Sequence, residues 1–491
     1  MKLKVLLFNP PGKILIRGEG RSDSETDPLT SPAAAKWIYP PMNLAYGAAC
    51  LRTNGFEPII RDYPAERKTL EEFEADIIKL APDICVTNMN PSSEAQDLTA
   101  IQIVRKNFPR GKVVACAPYL ALYDSPEVSV EMVKHFDAIL IAEHPENLVP
   151  LLEALSRNNN EQLKSVEGLL YWDDKTSLLI KTKYPMPGSL ENLPLPARDL
   201  LNNSLYVRPD NGRPQALIQT GRGCPSNCAF CLVPPLTGKV FTLRPVDSVI
   251  EEIRDCLDNH GIEQFFFRAD TFSINKTWTM EFCQKIIDSG LKISWCANSR
   301  ANTVDDDLIV LMRKSGCWLL AFGFESGCPE TLRRIRKGNT VADNEKARRI
   351  CLEHGIKVHG QYIIGFSWEG KEEIEQTFEH IRRMRCDFID VQILVPYKGT
   401  VIYAEMKKEC PALMEKALGS KMQGGVSGTA KGLTKADLIK YQRQMLRATY
   451  LSLPALLRRV GGIRSFAELK NYTRYGIKFV TNQFFTKTIS K

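Results

Sequence analysis

The sequence predicts an α/β protein: a doubly wound parallel sheet first, a partial barrel of six β-α units second, and a basic helical segment at the end. Three observations predict it. Short apolar runs alternate with amphipathic helical stretches twice over, in residues 1–157 and again in 215–405, and such alternation builds parallel sheets covered by helices. A stretch rich in Asn and Pro, 158–214, separates the two series and reads as an ordered linker. Charge is uneven as well. Residues 431–491 hold 13 Lys and Arg against 2 Asp and Glu, while the other 430 carry 52 basic and 55 acidic groups, so the net charge of +8 belongs to the C-terminal region 406–491.

Composition removes several classes. A chain of 491 residues with 44% hydrophobic and 25% charged residues is neither disordered, collagen-like nor a small disulfide scaffold. No apolar run reaches the length of a membrane-spanning helix, and the N-terminal apolar stretch, short and without a small-residue cleavage site, is not expected to act as a signal peptide. The expectation is a cytoplasmic protein. In that compartment its 14 cysteines are thiols or metal ligands rather than disulfides.

In the first series the strands are Leu3–Phe8, Glu57–Arg61, Asp83–Thr87, Lys112–Ala115 and Ala138–Ile141. Helical patterns lie at Met42–Thr53, stopped by Asn54-Gly55, and at Leu70–Leu80, Glu94–Asn107 and Asn147–Ser156. Ligands of such sheets bind beyond the strand carboxyl ends, here Asn9-Pro10-Pro11, Asp62-Tyr63, 88–93 and Cys116–Tyr119. The linker holds a small hairpin around Gly168–Trp172. In the second series the strands are Ala216–Thr220, Gln264–Arg268, Lys292–Ala297, Trp318–Gly323, Val358–Ile364 and Phe388–Leu394. Six units are too few for a closed eight-fold barrel and suit a partial one working at its strand C-termini.

Eleven cysteines are scattered singly. The other three form C-x3-C-x2-C: Cys224, Cys228 and Cys231, with Phe230 between the last two, directly after a strand. Structural zinc wants four ligands, and no second Cys or His pair of that spacing lies nearby. Three thiolates on a short loop suit a [4Fe-4S] cluster with one iron left open. Gly221 and Gly223 suit unusual backbone angles there.

This loop at the head of a β-α series resembles the radical S-adenosylmethionine (SAM) superfamily, and the resemblance spans roughly 212–405. Ala321–Gly327, reading AFGFESG, resembles the family's strand end with its Glu-Ser pair. Gly360–Phe366, reading GQYIIGF, resembles its G-x-I-x-G strand, whose backbone flanks the adenine. Leu394–Thr400 resembles its late Pro-x-Pro-Gly-Thr turn, with Lys398 where Pro is usual. The resemblance implies a cluster whose open iron chelates SAM, and an electron that cleaves a C–S bond to give a 5′-deoxyadenosyl radical. It places Phe230, Gly360, Ile364 and Gly365 among the cofactor-binding residues. Glu325 is read as a partner of SAM's ribose or amino group, against a carboxylate capping the next helix. Ser299 and Arg300 are read either as contacts of the ribose hydroxyls and the SAM carboxylate or as a solvent-facing turn. Asp270 orients substrate or SAM, or pairs with Arg268.

The first series resembles the cobalamin-binding domain that precedes many radical SAM cores. Tyr39–Tyr46 and Gly55-Phe56 followed by Asp62 carry this likeness. Departures fall at Ala142–Glu146, in place of a usual Gly-Glu-Gly-Glu, and at Cys116–Tyr119, in place of Gly-Gly-Pro-His. No D-x-H-x-x-G is present, so no histidine beneath cobalt is expected.

The resemblance implies a radical SAM enzyme that uses cobalamin to methylate an unactivated carbon of a small apolar, natural-product, tetrapyrrole or lipid substrate. The alternatives are a cyclase or carbon-skeleton rearrangement of the anaerobic tetrapyrrole type, tRNA methylthiolation, and a non-catalytic cobalamin or redox sensor. Expected partners are the small-molecule substrate and an electron donor such as flavodoxin or ferredoxin, with no nucleic acid. Residues 431–491 interleave basic and apolar side chains, which suits packing on the barrel or peripheral contact with an anionic membrane.

Overall fold

The computed structural model describes residues 2–12, 38–91, 93–142, 145–185, 188–208, 210–414 and 425–452, with a few positions between 457 and 477. The chain divides into two units, the first running essentially to Tyr206 and the second from Val207.

The first unit is a seven-stranded sheet in the order β2-β1-β3-β4-β5-β6-β7. Its strands are β1 Lys4–Asn9, β2 Glu57–Asp62, β3 Ile84–Asn88, β4 Lys112–Cys116, β5 Ala138–Leu140, β6 Leu169–Asp173 and β7 Leu178–Lys181. The first five are parallel, as expected, and β6 and β7 run antiparallel. The order 2-1-3-4-5 is a doubly wound one whose switch point lies between β1 and β3. Local chemistry sets the helices. Leu70–Leu80 starts at a reciprocal Thr69–Glu72 capping box, and the turn after Met42–Thr53 passes through Gly55 at φ 85°.

The expected linker 158–214 is corrected here. Its hairpin is β6–β7, and β6 pairs with β5 through Ile139↔Leu170 and Leu140↔Leu169. Leu169 and Leu170 are fully buried; their burial against β5 makes the hairpin part of the sheet rather than a free connection.

The second unit holds a six-stranded, all-parallel sheet in the order β15-β14-β13-β12-β11-β8. The strands are β8 Gln215–Gln219, β11 Gln264–Arg268, β12 Ser294–Ser299, β13 Cys317–Glu325, β14 Lys357–Ile364 and β15 Phe388–Ile393. A two-stranded ribbon, β9 Gly221–Arg222 with β10 Thr242–Leu243, follows β8. Neighbours in space are neighbours in sequence, as a partial β-α barrel requires. Alternation within the strands assigns the faces: Ile218, Phe265, Phe267, Trp295, Phe322, Phe324, Tyr362 and Val391 enter one apolar core with the helices, and the residues between them face the other way. Trp295 and Tyr362 are core residues.

The helix Lys435–Tyr450 packs on β15. Its side chains complete the strand's open edge: Tyr450 Oη donates to the Ile389 carbonyl at 2.9 Å and accepts its N–H at 2.8 Å, and Gln442 Nε2 donates to the Val391 carbonyl at 2.7 Å. This part of the basic region packs on the sheet. Of the apolar positions interleaved with the basic ones, Leu451 and Leu457 are described, and Leu453, Leu456, Phe466, Phe479, Phe484 and Phe485 lie outside the described residues. Among the described residues no helix is long and apolar enough to cross a membrane.

Candidate active site

The site in the second unit is built around the loop after β8. Gly223 adopts φ 85°, and a Cβ there would stand 2.0 Å from the Val240 carbonyl oxygen, so only glycine passes. Its N–H donates to Asp270 Oδ2 at 2.8 Å, which ties the loop to the end of β11. Farther along, the Ala229 N–H donates to the Ile335 carbonyl at 2.8 Å, and the Ile402 N–H donates to the Ala229 carbonyl at 3.0 Å. The loop is thereby pinned at both ends.

Cys224, Cys228 and Cys231 line one cavity of about 180 Å³, together with Phe230 and the ends of β11 to β14. Among the described residues, no three His, Cys, Asp or Glu converge on a point that would hold a single ion. A structural zinc ion needs all its ligands within bonding distance of one centre, whereas an iron–sulfur cube takes each thiolate at a separate corner. Burial pushes the Cys231 thiol up to about 12, so without a metal the side chain stays a neutral thiol. The donor set fits the cube.

Glu325 is the last residue of β13 rather than a residue beyond the strand. The register with β14 shifts between Gly323 and Glu325, and Glu325 takes φ 63°. Such a bulge re-aims a side chain, and here the carboxylate lines the cavity. Its Oε1 accepts a hydrogen bond from Lys337 Nζ at 2.7 Å, in a pair that is almost fully buried. A Cβ at Gly323 would stand 2.3 Å from Glu325 Oε1 and 2.8 Å from Lys337 Nζ, so glycine makes room for that pair. The following helix Pro329–Arg334 has Cys328 at its cap position, which removes the capping reading of Glu325.

Ser299 and Arg300 form neither a strand-free turn nor an exposed one. Ser299 ends β12, and its hydroxyl bonds Ser273 Oγ inside the protein. Arg300 is 8% exposed; its Nη1 donates to Cys228 Sγ at 3.4 Å and its Nη2 to the Lys337 carbonyl. Phe230 lies on the cavity wall, edge-on to Phe366 with ring centroids 6.5 Å apart. Phe366 is held in turn by fully buried Glu369, whose Oε2 accepts the Gly365 and Phe366 N–H groups at 2.8 and 3.1 Å.

The resemblance gives the G-x-I-x-G strand a role through its backbone, and the side-chain positions of its three marked residues turn away from the cavity. Gly360 packs toward Phe324, Tyr362 and Cys386; Ile364 is fully buried in the apolar core; and Gly365, at φ 95°, meets Leu438 and Val426. None of the three lines the cavity. Gln361, on the opposite face of β14, does. Sequence reading missed Gln361, Asn298 and Lys337 as cavity residues. Strand alternation was the available signal for Gln361; nothing in the sequence marks Lys337, which reaches Glu325 across 12 positions.

In the first unit the strand carboxyl ends carry a closed polar network. Asn9 Nδ2 donates to Asp62 Oδ1 at 3.1 Å, Asn88 Nδ2 to Asn9 Oδ1 at 2.8 Å, Asn43 Nδ2 to Asn88 Oδ1 at 2.6 Å, and Tyr206 Oη to Asp62 Oδ2 at 3.0 Å. Next to it, Asn90 is 4% exposed and its Oδ1 has no hydrogen-bond partner among the described residues. A buried acceptor left open is a place that can take a donor. Tyr119, in the segment that departs from Gly-Gly-Pro-His, turns its hydroxyl to Glu94 Oε2 at 3.0 Å.

Residues 218–381 match the sequence family described as the Radical SAM superfamily. An uncharacterised methyltransferase of Pyrococcus horikoshii is 31% identical over 366 residues, covering 74% of this chain and 78% of the relative. The anaerobic magnesium-protoporphyrin IX monomethyl ester cyclase of Cereibacter sphaeroides is 26% identical over 387 residues, covering 77% of this chain and 61% of the relative. Among solved structures, the radical SAM methyltransferase TsrM of Kitasatospora setae, with cobalamin and [4Fe-4S] cluster bound, superposes with a TM-score of 0.66 at 16% identity, over 98% of this chain and 99% of that one. The chain belongs to the radical SAM superfamily and is an enzyme of it, with the [4Fe-4S] cluster and SAM as its cofactors.

Proposed function

We propose that this enzyme is a cobalamin-dependent radical SAM methyltransferase acting on an unactivated carbon of a small molecule. The cysteine-lined cavity carries the radical part of this reading; the open Asn90 acceptor at the switch-point end of a doubly wound sheet supports the cobalamin part. The names of the Pyrococcus horikoshii relative and of the structural neighbour support methyl transfer.

In this reading Cys224, Cys228 and Cys231 hold the cluster, and Gly223, fixed by Asp270, sets their loop. When bound, the cluster supplies the electron that cleaves SAM and releases a 5′-deoxyadenosyl radical. Glu325 accepts the α-ammonium of SAM in exchange for Lys337, and Asn298 and Gln361 offer amides to its polar atoms. Phe230 screens the cavity from water, which protects a reactive species from quenching. In the first unit Asn90 accepts a hydrogen bond from cobalamin. The electron comes from a donor of the flavodoxin or ferredoxin type. Peripheral membrane contact through 431–491 remains part of the proposal for an apolar substrate.

The likeness to the anaerobic cyclase favours ring closure as a second reading. Anaerobic reconstitution with cobalamin and SAM separates them. Methyl transfer expects cobalamin retained on gel filtration and release of S-adenosylhomocysteine beside 5′-deoxyadenosine. Deoxyadenosine alone supports the cyclase, and neither product overturns both.

A further inference from the structure

Arg300 is a buried cation without an anion. A guanidinium stays charged in a protein, and this one is 8% exposed. Among the described residues no carboxylate pairs with it, because Glu325, on the same cavity, is taken by Lys337. An uncompensated buried charge is costly, so the site is built for negative charge that arrives later. The guanidinium shows where. Nη1 points at Cys228 Sγ at 3.4 Å, and Nη2 is held by the Lys337 carbonyl. The loop supplying that carbonyl is fixed again by Asn302 Nδ2, which donates to the Gly338 carbonyl at 2.8 Å. Arg300 is therefore aimed by its own surroundings, and its aim is a thiol, whatever the carboxylate of SAM does.

We infer that Arg300 sets the reduction potential of the cluster by donating a charge-assisted hydrogen bond to the Cys228 thiolate, an inference that rests on the cluster reading above. The reduced cluster carries one more negative charge than the oxidised one. A cation and an N–H donor at a ligand sulfur stabilise the reduced form more, which raises the potential. Arg300 acts through Cys228 and is a positioning and tuning residue. The neighbouring contact is a natural contrast: Thr271 Oγ1 lies 4.0 Å from Cys224 Sγ and is neutral.

The test uses the full-length, anaerobically reconstituted protein without substrate, and reads iron content and the potential by resonance-monitored redox titration. Arg300→Gln should keep its iron and shift to more negative potential. A reduced-to-oxidised ratio falling about tenfold at fixed poise corresponds to about 59 mV for one electron. Arg300→Lys should recover part of the shift, and Thr271→Val should move it less. The inference is overturned if Arg300→Gln holds a full cluster at the wild-type potential, or if Thr271→Val shifts as far. It is also overturned if both Arg300 variants lose their iron, because the role is then structural. A wild-type chain that takes up no four-iron cluster overturns the cluster reading itself, and the inference with it.

Discussion

The two sheets place polar residues at the carboxyl ends of their parallel strands and use them in opposite ways. In the first unit Asn9, Asn43, Asp62, Asn88 and Tyr206 satisfy one another, and Asn90 Oδ1 is left open. In the second, Arg300 is turned on a cysteine loop and Glu325 on a cavity, and the latter is held by a lysine from a neighbouring loop. A closed network stiffens an edge, whereas an open or uncompensated group marks where a ligand belongs. One architecture thus carries two degrees of commitment to chemistry, and residue-level accounting separates them.

The sharpest way to break the contrast is at the triad. Replacing Cys224, Cys228 or Cys231 by Ala should abolish cluster retention and 5′-deoxyadenosine formation, read by iron analysis and mass spectrometry. A single variant that keeps four irons and normal SAM cleavage would falsify the assignment. Next comes the buried pair. Lys337→Met leaves Glu325 without its partner and should cost about 3–5 kcal/mol in denaturant unfolding of the apo protein. Glu325→Gln combined with Lys337→Met should recover most of that loss, and failure to recover would show that the two residues act separately.

The second unit also carries two opposed titrations. Burial raises Glu369 from 4.5 to about 7. The folded chain keeps a proton that the unfolded chain loses, so stability falls as pH rises from about 4.5 to about 7. Burial lowers His380 from 6.5 to about 4. Here the unfolded chain takes up the proton first, so stability is lost as pH falls from 6.5 toward about 4. Glu369→Gln and His380→Asn should therefore tilt the pH dependence of the unfolding midpoint in opposite senses between about pH 4.5 and 6.5; tilts of the same sign would contradict both assignments.

The smallest effects lie in the first unit. Asn9→Leu strips partners from Asp62 and Asn88 and should cost about 1–3 kcal/mol. Asn90→Leu removes an acceptor with no partner among the described residues and should leave unfolding near wild type while weakening cobalamin retention on gel filtration. If Asn90→Leu destabilises as much as Asn9→Leu, its carbonyl is structural and the contrast between the two residues fails.

Much of this was legible in the sequence, for physical reasons. Strand periods, Gly stops and the cysteine spacing are local, and they located all five strands of the first series and all six of the second. What failed was non-local. Leu169 and Leu170 look like any small hairpin until β5 lies beside them. The bulge that carries Glu325 into β13 depends on its register with β14. The G-x-I-x-G resemblance led to Gly360 and Ile364, and the side chain that the strand turns to the cavity is that of Gln361. Lys337 sits in a loop with no pattern of its own, and only its bond to Glu325 gives it meaning.

The side-chain seal on β15 also bears on the order of assembly during synthesis. The six parallel strands β8, β11, β12, β13, β14 and β15 pair in chain order, so each can dock on the one that left the ribosome before it once the helix between them has emerged. The last edge is different. The backbone groups of Ile389 wait for a tyrosine 61 residues downstream. Until Tyr450 emerges, the newest strand presents an unpaired, apolar margin, the kind of surface on which nascent chains stick to one another. The helix Lys435–Tyr450 therefore acts as a late closure, and a nascent chain arrested before it would expose the cell to an unfinished sheet.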